Sequence, residues 1–149
     1  MKRYIISLFA TILSMVSFTS CLTSGIDEPE KEFDGADITG AQIYYRWIDN
    51  NGNVQQQRIP RALDIDDEEM VCTIYYAVGS SLDQQKTQEF ETLKAVVVTL
   101  DISTASIIKP LGDSPKLGIP GDWSKPNQYE ITAADGTKKI WTVAVESYY

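Results

Sequence analysis

The sequence predicts an all-β fold, an antiparallel β-sandwich with at most one short helix between Leu82 and Lys94. Three observations predict it. Apolar residues recur at every second position in most segments after Ile38, turn residues punctuate those segments, and no segment carries a sustained helical stripe. From Ile38 to Tyr149 there remain about 110 residues, enough for one ordinary domain.

The elements can be taken in chain order. "DITGAQIYYRWID" supplies a first strand with Ile43, Tyr45 and Trp47 on one face. "NNGN" (Asn50 to Asn53) is a hairpin signal, because Asn and Gly tolerate the positive φ that such turns require. "VQQQRIPR" returns as a polar strand whose end Pro60 confines to a sheet edge. "MVCTIYYAV" is apolar at both alternations and predicts a strand covered on both faces. "SSLDQQKTQEFETLK" is the one helical or irregular insert, anchored by Leu82, Phe90 and Leu93. "AVVVTLDIS" predicts a heavily buried strand and "ASIIKP" a short one.

The chain closes on a hairpin. "QYEITA" alternates Tyr129, Ile131 and Ala133, "ADGT" turns at Asp135-Gly136, and "KKIWTVAVE" points Trp141, Val143 and Val145 inward. An Asp-Gly turn between alternating runs is among the strongest hairpin signals. Repeated short strands with almost no helix point to a sandwich of the immunoglobulin-like kind.

Those closing residues resemble an immunoglobulin-like module of Bacteroidetes surface lipoproteins. The resemblance rests on Asp122, Trp123, Ser124 and Pro126 in a turn, on Tyr129 leading a strand, and on Ala133, Asp135 and Gly136 in a hairpin. Trp141, Thr142 and Val143 complete it in the last strand. It covers Leu93 to Val145 well and the earlier half by strand layout alone. It implies the fold, with Trp123 and Trp141 as core aromatics, and it implies no ligand. Modules of this kind occur as stand-alone lipoproteins and as spacers before carbohydrate-related domains.

The N-terminus indicates a compartment. Lys2 and Arg3 precede the apolar run Tyr4 to Phe18, too short for a membrane span of ~20 residues and suited to a signal peptide over residues 1–20. Thr19 and Ser20 directly before Cys21 resemble a lipobox, which implies a diacylated Cys21, although Phe18 departs from the usual aliphatic residue. Cleavage by ordinary signal peptidase, leaving a free thiol, is the alternative. Residues 21–37, acidic and rich in Gly and Pro, form a tether, and residues 38–149 the sandwich. The expected location is the outer membrane, with surface exposure expected and the periplasmic face as the other option.

Charge excludes some partners. The chain carries 13 basic and 21 acidic residues; without Lys2 and Arg3 the basic count falls to 11 and the net charge to −10. That balance lacks the footprint for nucleic acid or anionic lipid, so the membrane link is the lipid on Cys21.

Catalytic chemistry is poorly served. There is no histidine, hence no Ser-His, Cys-His or His-metal arrangement, and no phosphate loop is present. Cys72 is expected as a small buried hydrophobe rather than a metal or redox residue. The run Asp64, Asp66, Asp67, Glu68, Glu69 could offer oxygen ligands to Ca²⁺ but lacks EF-hand spacing, and a solvated turn is the favoured expectation. No enzyme activity, metal or cofactor is expected. Exposed aromatics are the remaining candidates, because a flat ring covers the apolar face of a sugar. "YYRW" places Tyr44, Arg46 and Trp47 as candidate ligand-binding residues, with Tyr44 or Trp47 stacking on a neutral glycan and Arg46 donating to its hydroxyls; a packing role competes with this. Two functions remain open: a non-catalytic surface lipoprotein that captures glycans, or a structural or adhesive one that contacts a partner envelope protein.

Overall fold

A computed structural model of the chain describes residues 34–148. The expected signal peptide, Cys21, most of the tether and Tyr149 lie outside the described residues. Two sheets enclose one core, as the alternation predicts. The first sheet orders β2 (Val54–Arg58), β1 (Ile38–Ile48), β5 (Val96–Ile102) and β7 (Pro120–Gly121). The second orders β3 (Arg61–Asp66), β4 (Val71–Tyr76), β9 (Lys138–Ser147), β8 (Asn127–Thr132) and β6 (Ile107–Pro110). One helix, α1 (Gln84–Glu91), joins β4 to β5. It falls between Leu82 and Lys94, where the sequence allows one.

The second sheet departs from purely antiparallel pairing. β4 and β9 run parallel, with Cys72 opposite Val143 and Ile74 opposite Val145. Neighbours in sequence can pair through a tight turn, whereas these two strands meet only after the chain has circled the core. Their inward residues Cys72, Ile74, Trp141 and Val143 are fully buried.

The polar return strand is also split. Ile59 and Pro60 interrupt it: the Ile59 N–H donates to the Ile43 carbonyl in the first sheet (3.0 Å), and the Pro60 carbonyl accepts from Ala77 N–H (3.0 Å). The chain therefore changes sheets at a residue that has no N–H to lose. Beyond Pro60, "RALDID" forms a strand of its own, β3, and only the acidic stretch after it turns. There Asp66 Oδ1 accepts from the Glu68 and Glu69 N–H groups (3.0 and 2.9 Å). Among the described residues, no three such side chains gather as a metal site.

β4 corrects a second expectation. Cys72, Ile74 and Tyr76 are buried, but Val71, Thr73 and Tyr75 on the other face are only half-buried. Flanking strands shield that face from the sides, and among the described residues no layer covers it. Packing also starts ahead of Ile38: Ala36 is buried, and its carbonyl accepts from Trp141 Nε1 at 2.9 Å. The closing hairpin turns at Asp135-Gly136, as its residues predict. Gly136 has φ 89°, its N–H donates to the Ala133 carbonyl (3.0 Å), and Ala133 N–H donates to the Thr137 carbonyl (2.8 Å).

Candidate functional site

The site grows from the place where β1 outruns its neighbour. β5 pairs with β1 only as far as Tyr45 opposite Val96, while β1 continues to Ile48 beside β2. Tyr45 and Trp47 share the inward face, so Tyr45 is buried under the sandwich while Trp47 overhangs its end, half-buried. Their rings stack, centroids 5.6 Å apart and planes at 19°. Length of strand, not residue type, separates the two.

Helix α1 closes over this overhang. Asp83 caps it by accepting from Lys86 N–H at 2.9 Å. Phe90, its buried residue, meets Tyr45 and Tyr76 edge-on at 6.1 and 5.0 Å, which seats the helix on both sheets. Four residues earlier, one turn along the same face, Lys86 extends its ammonium over the Trp47 ring, 5.3 Å from the centroid, and pairs with Asp83. Glu89 accepts from Tyr45 Oη at 2.5 Å and from Gln85 Nε2 at 3.1 Å.

Between helix and hairpin lies a cleft of about 410 Å³ lined by Trp47, Ile48, Asp49, Asn50, Gln85, Lys86 and Glu89. That volume suits a small ligand. Its acids are already engaged. Asp49 accepts from the N–H groups of Asn51 and Asn53, both at 2.9 Å, and from Gln55 Nε2 at 2.9 Å. The Asn53 N–H and then Gln55 hold the Asp49 carboxyl below its ordinary range, and the Tyr45 hydroxyl and then Gln85 do the same for Glu89. Burial first, and the bond to Glu89 second, push the Tyr45 hydroxyl up to about 12. A glycosidase general acid needs a raised carboxyl pKa, and both shifts run the other way.

The candidate residues of "YYRW" divide between two faces. Tyr44 lies opposite Val97 and Arg58 on the outer side of the first sheet, and Arg46 is on that side as well. Arg46 donates from Nε and Nη2 to Gln56 Oε1 (2.9 and 2.7 Å) and from Nη2 to the Gly118 carbonyl (3.4 Å). It cannot serve a ligand stacked on Trp47 from there. The polar groups that do surround Trp47 come from α1 and the hairpin. Sequence reasoning missed Asp83, Gln85, Lys86 and Glu89, because the spacing of "DQQKTQE" signals a capped helix but not the strand end it covers.

A second hollow, about 260 Å³, lies among Pro60, Arg61, Ala62, Tyr75, Ala77 and Tyr148, where the two tyrosine rings meet edge-on at 6.4 Å. Cys72, expected as a buried hydrophobe, is buried and free, and burial pushes its thiol up to about 11.

A two-sheet sandwich with an aromatic cleft at one end defines a class of β-rich module, and comparison with known proteins places it further. Residues 38–144 match the family model described as DUF5018-related, and the chain belongs to that family. It is similar over 80% of its length, at 33% identity and a TM-score of 0.67, to the whole of a solved chain from Bacteroides fragilis NCTC 9343 described as a "putative secreted protein". A solved chain from Bacteroides thetaiotaomicron VPI-5482, described as a "putative glycoside hydrolase", matches 79% of this chain at 20% identity and a TM-score of 0.48. The match covers 26% of that chain. No curated protein matched. Among the described residues, no helix is long and apolar enough to cross a membrane.

Proposed function

We propose that this protein is a non-catalytic cell-envelope lipoprotein, anchored through Cys21, that captures a neutral glycan at the Trp47 cleft. One observation carries the reading: Trp47 alone of the three tryptophans is half-buried, at the mouth of a polar cleft, while Trp123 and Trp141 are sealed in the core. An indole face beside amide and hydroxyl-seeking groups matches the two surfaces of a pyranose, one apolar and one rimmed with hydroxyls. The lowered carboxyl pKa values and the absence of histidine support binding without turnover. Export is supported by the N-terminal signal pattern and by the relative described as secreted.

The test is calorimetric titration of the mature chain with neutral hexose oligomers, among them maltohexaose, cellohexaose, laminarihexaose and mannohexaose. Binding lost in Trp47→Ala and kept in Tyr44→Ala is the expected result; binding that survives Trp47→Ala would sink the assignment. Cys21→Ser should in parallel leave the membrane fraction. A second reading has its own observation. Ile48 and Val54, 71% and 66% exposed, face each other across the β1–β2 hairpin beside the cleft. Such a pair suits adhesion to a partner envelope protein, the reading left ahead if no oligomer binds.

A further inference from the structure

The Trp47 ring is not vacant, and its occupant is part of the chain. Tyr45 stacks against it at 19°, and two near-parallel rings in contact leave no room for an ammonium between them. Lys86 Nζ also lies over the Trp47 ring that Tyr45 stacks on, 5.3 Å from its centroid. A sugar stacking on Trp47 needs ring surface of that kind. We propose that Lys86 is the resident occupant of the Trp47 face, and that a neutral pyranose enters by exchanging with it. The inference rests on the glycan reading above and names the residue that sets its affinity and selectivity.

The surroundings make exchange feasible. Lys86 is held by one cation–π contact and one ion pair to Asp83, a residue more than half exposed. Both are weak at a wet surface. Asp83 is also the helix cap, so it stays in place when the ammonium swings away. The displaced ammonium then remains at the rim, tethered to Asp83 and clear of the ring. Glu89 cannot take over the role of occupant, since it is tied to Tyr45 and Gln85. Charge sets the selectivity. Asp49 and Glu89 line the cleft with Lys86, whose own charge is paired with Asp83, so an acidic sugar meets net negative charge there. Neutral hexoses face no such penalty.

Two measurements separate this exchange from the glycan reading itself. Acrylamide, a neutral quencher, reports on exposed tryptophan, and Trp47 is the only one of the three that is not buried. Lys86→Ala, confirmed as folded by circular dichroism, should raise the quenching constant about twofold, and Trp47→Phe should abolish the rise. Removing a competitor worth one weak contact should also tighten hexose-oligomer binding about three- to tenfold in Lys86→Ala. Unchanged quenching would overturn the occupancy. Raised quenching with unchanged or weaker oligomer binding would overturn the exchange. Raised quenching with no oligomer bound by either protein would instead overturn the glycan reading.

Discussion

Trp141 and Trp47 both point inward from long strands, yet one is sealed and the other is open on one side. Trp141 lies on β9 opposite Tyr129 of β8, which runs past it. On its other side the Met70 carbonyl, one residue before β4, accepts from Thr142 N–H (2.9 Å), so the chain flanks it on both sides. Its indole N–H is consumed by the Ala36 carbonyl at 2.9 Å. Trp47 lies where β1 has outrun β5, with β2 on one side and a short helix above. It packs against the edge of the core, stacks on Tyr45 and carries a lysine that other interactions hold only weakly. The difference teaches that an alternating pattern assigns a face, while exposure depends on whether the neighbouring strand is still there.

The comparison breaks most readily at Trp141. Trp141→Ala should cost about 3–5 kcal/mol, the range for truncating a buried aromatic, and should show as a large drop in the urea midpoint. A loss below ~1 kcal/mol would mean that this end of the core is loosely packed. Gly136→Val attacks the same hairpin through its backbone. With φ at 89°, a β-branched residue is strained there by more than ~1 kcal/mol, although a Cβ would meet nothing within 4 Å. A neutral result would contradict the turn. Trp47→Ala should cost less than Trp141→Ala, about 2 kcal/mol, because the ring is only half-buried beside one ring stack and one cation–π contact. If it cost as much as Trp141→Ala, Trp47 would be a core residue and the contrast would vanish.

Much of the framework was legible from local pattern. The Asp135-Gly136 turn, the Asn-Gly turn after β1, the inward sets Ile43/Tyr45 and Trp141/Val143/Val145, and Phe90 as the helix anchor all arise from spacing and turn chemistry. Those signals act within a few residues, so the sequence carries them directly. The split at Ile59-Pro60 was not legible, since a proline at a strand end and a proline at a sheet crossing look alike in sequence. Nor was the half-open outer face of β4: Val71, Thr73 and Tyr75 are apolar enough for burial, but flanking strands meet that need without a second layer.

For the site, the sequence by itself determined that Trp47 shares a face with Tyr45, that Tyr44 and Arg46 share the other, and that the one helical or irregular insert comes after β4. Period-two geometry dictates the first two, and the break in that period dictates the third. Only the tertiary structure decided that β1 extends past β5, that Phe90 seats the helix over that extension, and that Lys86 comes to rest on the indole. Each of these depends on where strands distant in the chain end relative to one another. Registers of that kind are set by the fit of the whole core, and no local stretch of sequence contains them.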